Sequence, residues 1–259
     1  MTKRPVLAAL GLTLTLAAFT PSAGIAGRND LIDAAKMKAD WKYRIDGIET
    51  LLHNQNFSKA KKESIRLREE MIDGVQSGPG AAAIFAIVTF QRAIAEAGLG
   101  EERDALWDLN VALSFNPKLK EIDRAAAYGT KVADLLERGS EKHEQQKSSV
   151  LVLGPGDVPE IGQVSRPEIV SRTNPHYPPV LRQAKITGKV ISEVIIGVEG
   201  DVSSPRILQG SGSASLDLAA LEALRFWRFR PAQQNGSPVM VYYVLTINFQ
   251  IGSFPPGGY

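Results

Sequence analysis

Residues 174–250 read NPHYPPVLRQAKITGKVISEVIIGVEGDVSSPRILQGSGSASLDLAALEALRFWRFRPAQQNGSPVMVYYVLTINFQ. The order of signals inside this stretch decides the fold. Pro178 to Ile186 predicts a short helix with Val180, Leu181 and Ala184 inward, because a proline in the first helical turn gives up an amide that has no helical partner anyway. Lys189 to Val198 alternates, with Val190, Val194, Ile196 and Val198 on one face; Glu199-Gly200-Asp201 supplies a turn, and Val202 to Gln209 returns as a second strand. Ser213 or Ser215 is placed to cap the next helix, whose Leu216, Ala220, Ala223 and Trp227 fall along one side and cover a sheet face. Asn235-Gly236 launches a last strand in which Val239, Val241, Tyr243, Leu245, Ile247, Phe249 and Ile251 are apolar, while Met240, Tyr242, Val244, Thr246, Asn248 and Gln250 are mixed. Period two with one apolar face is a strand half buried against a helix layer. The expectation is an α+β chain ending in a small αββαβ domain, residues 173–252, with a three-stranded antiparallel sheet and a tail at 253–259.

Working outward, residues 27–139 read as all helical. Leu31, Ala34, Ala35, Lys38, Trp41 and Ile45 recur at helical spacing after Asp30, and Ala60, Ser64, Leu67 and Met71 share a face after Asn56. Gly78-Pro79-Gly80 breaks the chain; further helices are predicted over Ala81–Ala97, Glu101–Phe115, ended by Asn116-Pro117, and Lys120–Leu136, stopping at Gly139. Ala93, Gly100, Ala105, Leu109, Ala112 and Pro117 fall at offsets that resemble a tetratricopeptide helix hairpin. Ala60 and Ala105 are 45 residues apart rather than the motif's 34, so an unrelated helical bundle with alanine-rich contacts stays open beside it. Residues 140–172 change character: Glu141 to Ser149 is polar, Val150 to Leu153 is an apolar run suited to an accessory strand, and Gly154-Pro155-Gly156, Pro159 and Pro167 mark a linker.

Met1 to Ala26 has the layout of an export signal, with Lys3 and Arg4 before an apolar run from Val6 to Phe19 and small residues at Gly24 and Ala26. Cleavage after Ala26 and a periplasmic location are expected. The alternative is an anchor retained in the inner membrane, for which the 14 residues of Val6–Phe19 are short against the roughly 20 that span a bilayer. No other window reads as a span, Ala81 to Val88 being too brief. The absence of cysteine excludes disulfides, thiolate metal sites and a lipoprotein anchor. The net charge of +2 resides in the signal: without Lys3 and Arg4 the basic and acidic side chains number 28 each, so charge gives no reason to invoke nucleic acid.

Taken together, Asn174-Pro175-His176-Tyr177-Pro178, Ala184, Gly188-Lys189-Val190, Gly200, Gly210-Ser211-Gly212, Leu216-Asp217, Ala219-Ala220, Trp227-Arg228-Phe229, Pro231-Ala232 and Asn235-Gly236-Ser237-Pro238-Val239 resemble the C-terminal domain of TonB energy transducers over about 80 of 259 residues. The resemblance implies binding by strand addition, in which the last strand pairs with an extended segment at the N-terminus of an outer-membrane transporter. It implies partner contacts at Asn174, His176 and Tyr177, and along the last strand at Met240, Tyr242, Val244, Thr246 and Asn248. Arg225, Arg228 and Arg230 form the densest basic cluster in the domain, and their charge makes Arg228 and Arg230 candidates for contact with an acidic partner. Blander readings remain for several of these: Trp227 as core, His176 as an exposed loop residue, and Arg225, Arg228 and Arg230 as a solvated helix end rather than a site for an acidic partner. A family member that transduces energy carries a membrane helix with a Ser and a His on one face; Val6–Phe19 has Thr13 and Thr15 and no histidine. The expected function is therefore an exported binding protein of the cell envelope, with a second protein on the helical half. The alternatives are a membrane-anchored transducer or an edge-pairing homodimer.

Catalysis is not expected. His53, His143 and His176 lie in three separate segments without metal-ligand spacing, there is no GxSxG turn, and Glu69-Glu70 and Glu101-Glu102 occupy polar helix positions. No cofactor or metal is called for.

Overall fold

The computed structural model of the chain describes residues 28–74, 79–121, 128–130, 132–135, 137, 151–153 and 164–251. Four helices come first: α1 (Arg28–His53), α2 (Phe57–Gly74), α3 (Pro79–Gly98) and α4 (Glu102–Phe115), followed by a 3-10 turn at Pro117–Glu121. The period read from α2 is its buried face, Ala60, Ser64, Leu67 and Met71 all being fully enclosed. α3 and α4 form an antiparallel hairpin through a tight link in which Gly100 takes a φ of +78°. Ala93, Ala105, Leu109 and Ala112 are buried along it. Small side chains let the two backbones approach, and at Gly98 a Cβ would meet the Phe57 ring at 2.4 Å. α4 stops because Asn116 is extended and the next residue is a proline, with the Asn116 side chain accepting the Lys118 amide at 3.2 Å. The single helix expected over Lys120–Leu136 is not seen over its described residues: Lys120 and Glu121 belong to the 3-10 turn, Gly129 takes a φ of +108°, which no helix continues through, and residues 130 and 132–135 are helical. The rest of that span, the signal stretch and most of 140–163 lie outside the described residues.

Ala81–Gly98 corrects the reading that no later window is long and apolar enough for a membrane. By length and composition it is, and most of it is buried within the fold. Its apolarity has a packing cause: α3 sits at the centre of the helical half, touching α1, α2 and α4.

The C-terminal half holds β2 (Glu168–Ser171), α5 (Pro179–Gln183), β3 (Gly188–Ile196), β4 (Val202–Gln209), α6 (Ala214–Leu224) and four further strands, β5 (Arg228–Arg230), β6 (Ala232–Gln234), β7 (Ser237–Val239) and β8 (Val241–Phe249). The expected αββαβ order is α5-β3-β4-α6-β8. The antiparallel core β8-β3-β4 gains a fourth strand, β1 (Leu151–Leu153), which runs parallel to β8. β3 and β8 pair without interruption from Gly188 against Phe249 to Ile196 against Val241. Two short ribbons, β2 with β5 and β6 with β7, were too brief to leave a period in the sequence. Asn235 and Gly236, with φ of 52° and 81°, make the two-residue turn between β6 and β7 whose twist suits a hairpin.

Ser213 occupies the cap position of α6 but makes no side-chain cap bond. Asp217 in the first turn instead accepts the Ser211 amide at 2.7 Å and holds the Gly210–Gly212 loop against the helix. Burial raises the Asp217 carboxyl above its ordinary value, against the pull of that bond.

α6 is buried all round, with ten of its eleven residues enclosed, because it lies between two layers. One side covers the sheet face carrying Val190, Val194, Ile196, Leu245, Ile247 and Phe249; α2 and α3 pack on the other. α4 lies against β4, where the Ser114 hydroxyl donates to the Pro205 carbonyl at 3.3 Å. A proline is tolerated there because β4 is an edge strand. One continuous apolar core therefore runs from Trp41 in α1 to Phe249 in β8.

Candidate partner-binding edge

β8 is the strand on which the implied site rests, and its geometry follows from period two. Directly opposed residues of β3 and β8 share a face: Val241, Tyr243, Leu245, Ile247 and Phe249 point to α6 with Ile196, Val194 and Val190, while Tyr242, Val244, Thr246 and Asn248 point the other way with Ile195, Glu193, Ile191 and Lys189. Thr246 and Asn248 are exposed, Val244 is half-buried and Met240, just before the strand, is 39% exposed. Tyr242 is 1% exposed, so on this face the strand is open toward Phe249 and closed toward Val241. Burial raises the Tyr242 hydroxyl's pKa, and the neighbouring Glu193 carboxylate adds to the effect. Glu193 itself bonds Arg206 of β4 at 2.7 Å.

On the side away from β3, β8 is paired by β1 at Val241, Tyr242 and Tyr243. Among the described residues no strand adds to β8 from Val244 to Phe249. At the opposite edge of the sheet α4 packs against β4, whose last residues, Leu208 and Gln209, stay exposed.

Asn174, His176 and Tyr177 come to the Phe249 end. The Tyr177 ring meets Phe249 edge-on at 5.4 Å, and its hydroxyl donates to the Ile186 carbonyl at 2.6 Å. The segment is anchored upstream by the Trp227 indole N–H, which donates to the Thr173 carbonyl at 2.9 Å. Trp227 is thus a core residue that also fixes the start of this segment. Asn174 is exposed; His176 is exposed and lies 3.0 Å from Asp73 near the end of α2, so the helical half touches this segment too.

Arg228 and Arg230 lie beside the β3–β4 turn, where the Arg228 backbone forms an isolated antiparallel bridge with that of Asp201 and the Phe229 amide donates to the Gly200 carbonyl at 2.8 Å. Arg230 pairs with Glu168 of β2, and Arg228 donates to the Trp227 carbonyl at 2.8 Å. Arg228 lies opposite Ser171, three residues before Asn174, while the Arg230 side chain is engaged with Glu168. Arg225 turns away to the helical half, where it pairs with Asp104 and lies 3.9 Å from Asp108.

The cluster around Asp108 was not among the sites expected. Arg92 contacts Asp108 at 2.8 Å and Glu96 at 3.0 Å, while Arg68 lies 3.6 Å from Asp108 and 3.2 Å from Glu222. Lys61 pairs with Glu101 and lies 3.4 Å from Glu96, so Glu101 is an ion-pair partner rather than a merely solvated acid. Burial pushes the Asp108 carboxyl well up, against Arg92, and pushes Glu222 up in the same way. Burial also opposes the Arg92 charge, but Asp108 and Glu96 outweigh it and hold its pKa above the ordinary value. The available signal was charge inside otherwise apolar helices, Arg92 and Glu96 in α3 and Asp108 in α4. The partners at the C-terminal end of α6, Glu222 and the capping Arg225, are too distant in sequence to pair by inspection. Glu96, Glu101 and Asp104 also bring carboxylate oxygens within 4.8 Å of one another, but Lys61 and Arg225 already face them.

Residues 173–251 match the family described as Gram-negative bacterial TonB protein C-terminal. The chain is 32% identical over 108 residues to Protein TonB of Vibrio cholerae, covering 41% of this chain and 44% of that protein. It is 31% identical over 77 residues to Protein TonB of Xanthomonas campestris, covering 30% of this chain and 34% of that one. The chain thus spans less than half the length of the curated relatives it matches. A solution structure of the Pseudomonas aeruginosa TonB CTD matches at 21% identity over 40% of this chain and 97% of its own, with a TM-score of 0.32, too low to carry an argument. On the family match and the two relatives, residues 173–251 belong to the family of TonB C-terminal domains.

Proposed function

We propose that the chain is an exported protein of the cell envelope whose C-terminal domain captures an extended segment of an outer-membrane transporter, or of another envelope partner, by strand addition along β8. The observation that carries this reading is the edge from Val244 to Phe249, held in register by β3 and paired by no strand among the described residues. Such an edge presents a row of amides and carbonyls that an extended chain satisfies, main-chain bonds giving affinity and side-chain alternation giving register. Thr246 and Asn248 would flank the incoming strand, with Asn174, His176 and Tyr177 at its end. Energy transduction is the further step, with Met1–Ala26 kept as an anchor. Self-pairing of two chains would use the same bare stretch of β8.

Natural sheets discourage strand addition by placing lysine on their edges. Thr246→Lys with Asn248→Lys, both at exposed positions, is therefore expected to weaken binding of a synthetic peptide copying the N-terminal segment of a transporter from the same organism by about tenfold or more. Titration calorimetry reads the affinity and circular dichroism checks that the fold is kept. Undiminished binding by the folded variant contradicts the proposal.

A further inference from the structure

The edge assigned above to a partner is already in use at one end by the chain itself. β1 lies parallel on β8, with Leu151 against Val241, Val152 against Tyr242 and Leu153 against Tyr243. It adds on the side away from β3, which occupies the other side of β8 over its whole length. The chain's own Leu-Val-Leu thus engages the last strand by strand addition, the mode proposed for the partner.

The same pairing is built to be short. β1 is three residues long, and the sequence passes directly into Gly154-Pro155-Gly156, where the proline has no amide to donate and the glycines resist extended order. β8 offers nine residues. A partner strand running along the whole edge makes more ladder bonds than β1 makes, and the two cannot occupy Val241–Tyr243 together.

We propose that β1 is a tethered competitor of the partner peptide: Leu151–Leu153 covers the Val241–Tyr243 end of the edge in the free chain and leaves it when a longer strand adds along β8. This rests on the strand-addition reading of β8. A tethered segment acts at a high effective concentration, so it lowers apparent affinity in proportion to the fraction of chains whose edge it fills. It also shortens the bare edge on which two copies would pair.

The test uses the full chain and a variant with Leu151→Gly, Val152→Ser and Leu153→Gly. Two labelled probes are titrated into each: the transporter peptide named above, and a peptide copying residues 148–156 of this chain. The variant is expected to bind the transporter peptide about tenfold more tightly than the unaltered chain, and to bind the 148–156 peptide where the unaltered chain does not. Equal affinity of both chains for the transporter peptide overturns the competition and leaves strand addition standing. No transporter binding by either chain, with the 148–156 peptide still captured by the variant, overturns the transporter reading and the competition with it. That capture also tells this case from a misfolded variant.

A second arm locks β1 in place with Leu153→Cys and Tyr243→Cys, the sole cysteines in the chain. The oxidised form is expected to bind the transporter peptide at least about tenfold more weakly than the same protein reduced. Equal binding of the two forms overturns the proposal.

Discussion

Gly200→Ala is expected to cost about 3–5 kcal/mol of folding stability, through the combined effects of backbone strain, a steric clash and a lost hydrogen bond. Gly200 has a φ of +80°, and a Cβ built there falls 1.7 Å from the Phe229 carbonyl oxygen, inside any contact distance. The obstacle is backbone, which no rotamer change can remove. The Gly200 carbonyl also accepts the Phe229 amide at 2.8 Å, the bond that seats β5 on the β3–β4 turn. Denaturant unfolding measures the loss, with an unchanged slope showing that stability alone has moved. Gly200→Asn separates the causes. Asparagine tolerates the left-handed region but carries a Cβ, so it is expected to be as damaging as alanine. A loss below about 1 kcal/mol for either variant contradicts the close approach.

Asp108→Ala is expected to cost a similar amount, about 3–5 kcal/mol, because removing one member of a buried ion cluster strands the others. Arg68 and Arg92 are almost fully enclosed, and Arg225 reaches Asp108 from α6, so the stranded charge lies where the two halves meet. Adding Arg92→Met to Asp108→Ala is expected to recover at least about 1 kcal/mol, since it deletes a charge that has lost its main partner. Equal stability of the single and double variants contradicts the pairing. The cluster also fixes a sign in pH. Asp108 and Glu222 are raised in the folded chain, so they favour folding most below the unfolded carboxylate values of about 4 and lose that contribution as pH rises through their folded values. Asp104 behaves oppositely. Burial works against its ionisation, but the Arg225 bond and charge outweigh it and hold the carboxyl low, so its contribution is present above about pH 4 and lost as pH falls. Asp108→Ala is therefore expected to move the pH of maximum stability upward.

Where one element carried a complete period, its structure was legible in the sequence. Val202–Gln209 is a strand over those residues, α2 buries the face read from Ala60 to Met71, and β8 turns Leu245, Ile247 and Phe249 inward while Thr246 and Asn248 stay out. Legibility failed where the cause lay in another element. The final strand stops at Phe249 and leaves Ile251 exposed. Tyr242 sits at an outward position of the alternation yet is buried, so the sheet is covered on both faces at that end. Val150–Leu153 read as an accessory strand, but nothing local said that β8 would be its partner. The docking of the helices on α6 was hidden in the same way. Apolar residues all round a short helix mean burial, and the layer that buries α6 is far away in sequence. For the site, the family motif singled out Asn174–Tyr177, whereas the packing of Tyr177 on Phe249 and the intramolecular engagement of Arg225 and Arg230 needed coordinates.

Binding at the β8 edge is tested most directly by amide hydrogen exchange along the full chain, read residue by residue before and after the transporter peptide is added. Antiparallel and parallel ladders alike use every second amide of a strand toward a given neighbour. The expected result is new protection at alternate residues between Val244 and Phe249, on the side that β3 does not pair. Saturable binding that leaves these amides exchanging as before, or that protects only α1–α4, would contradict capture by strand addition.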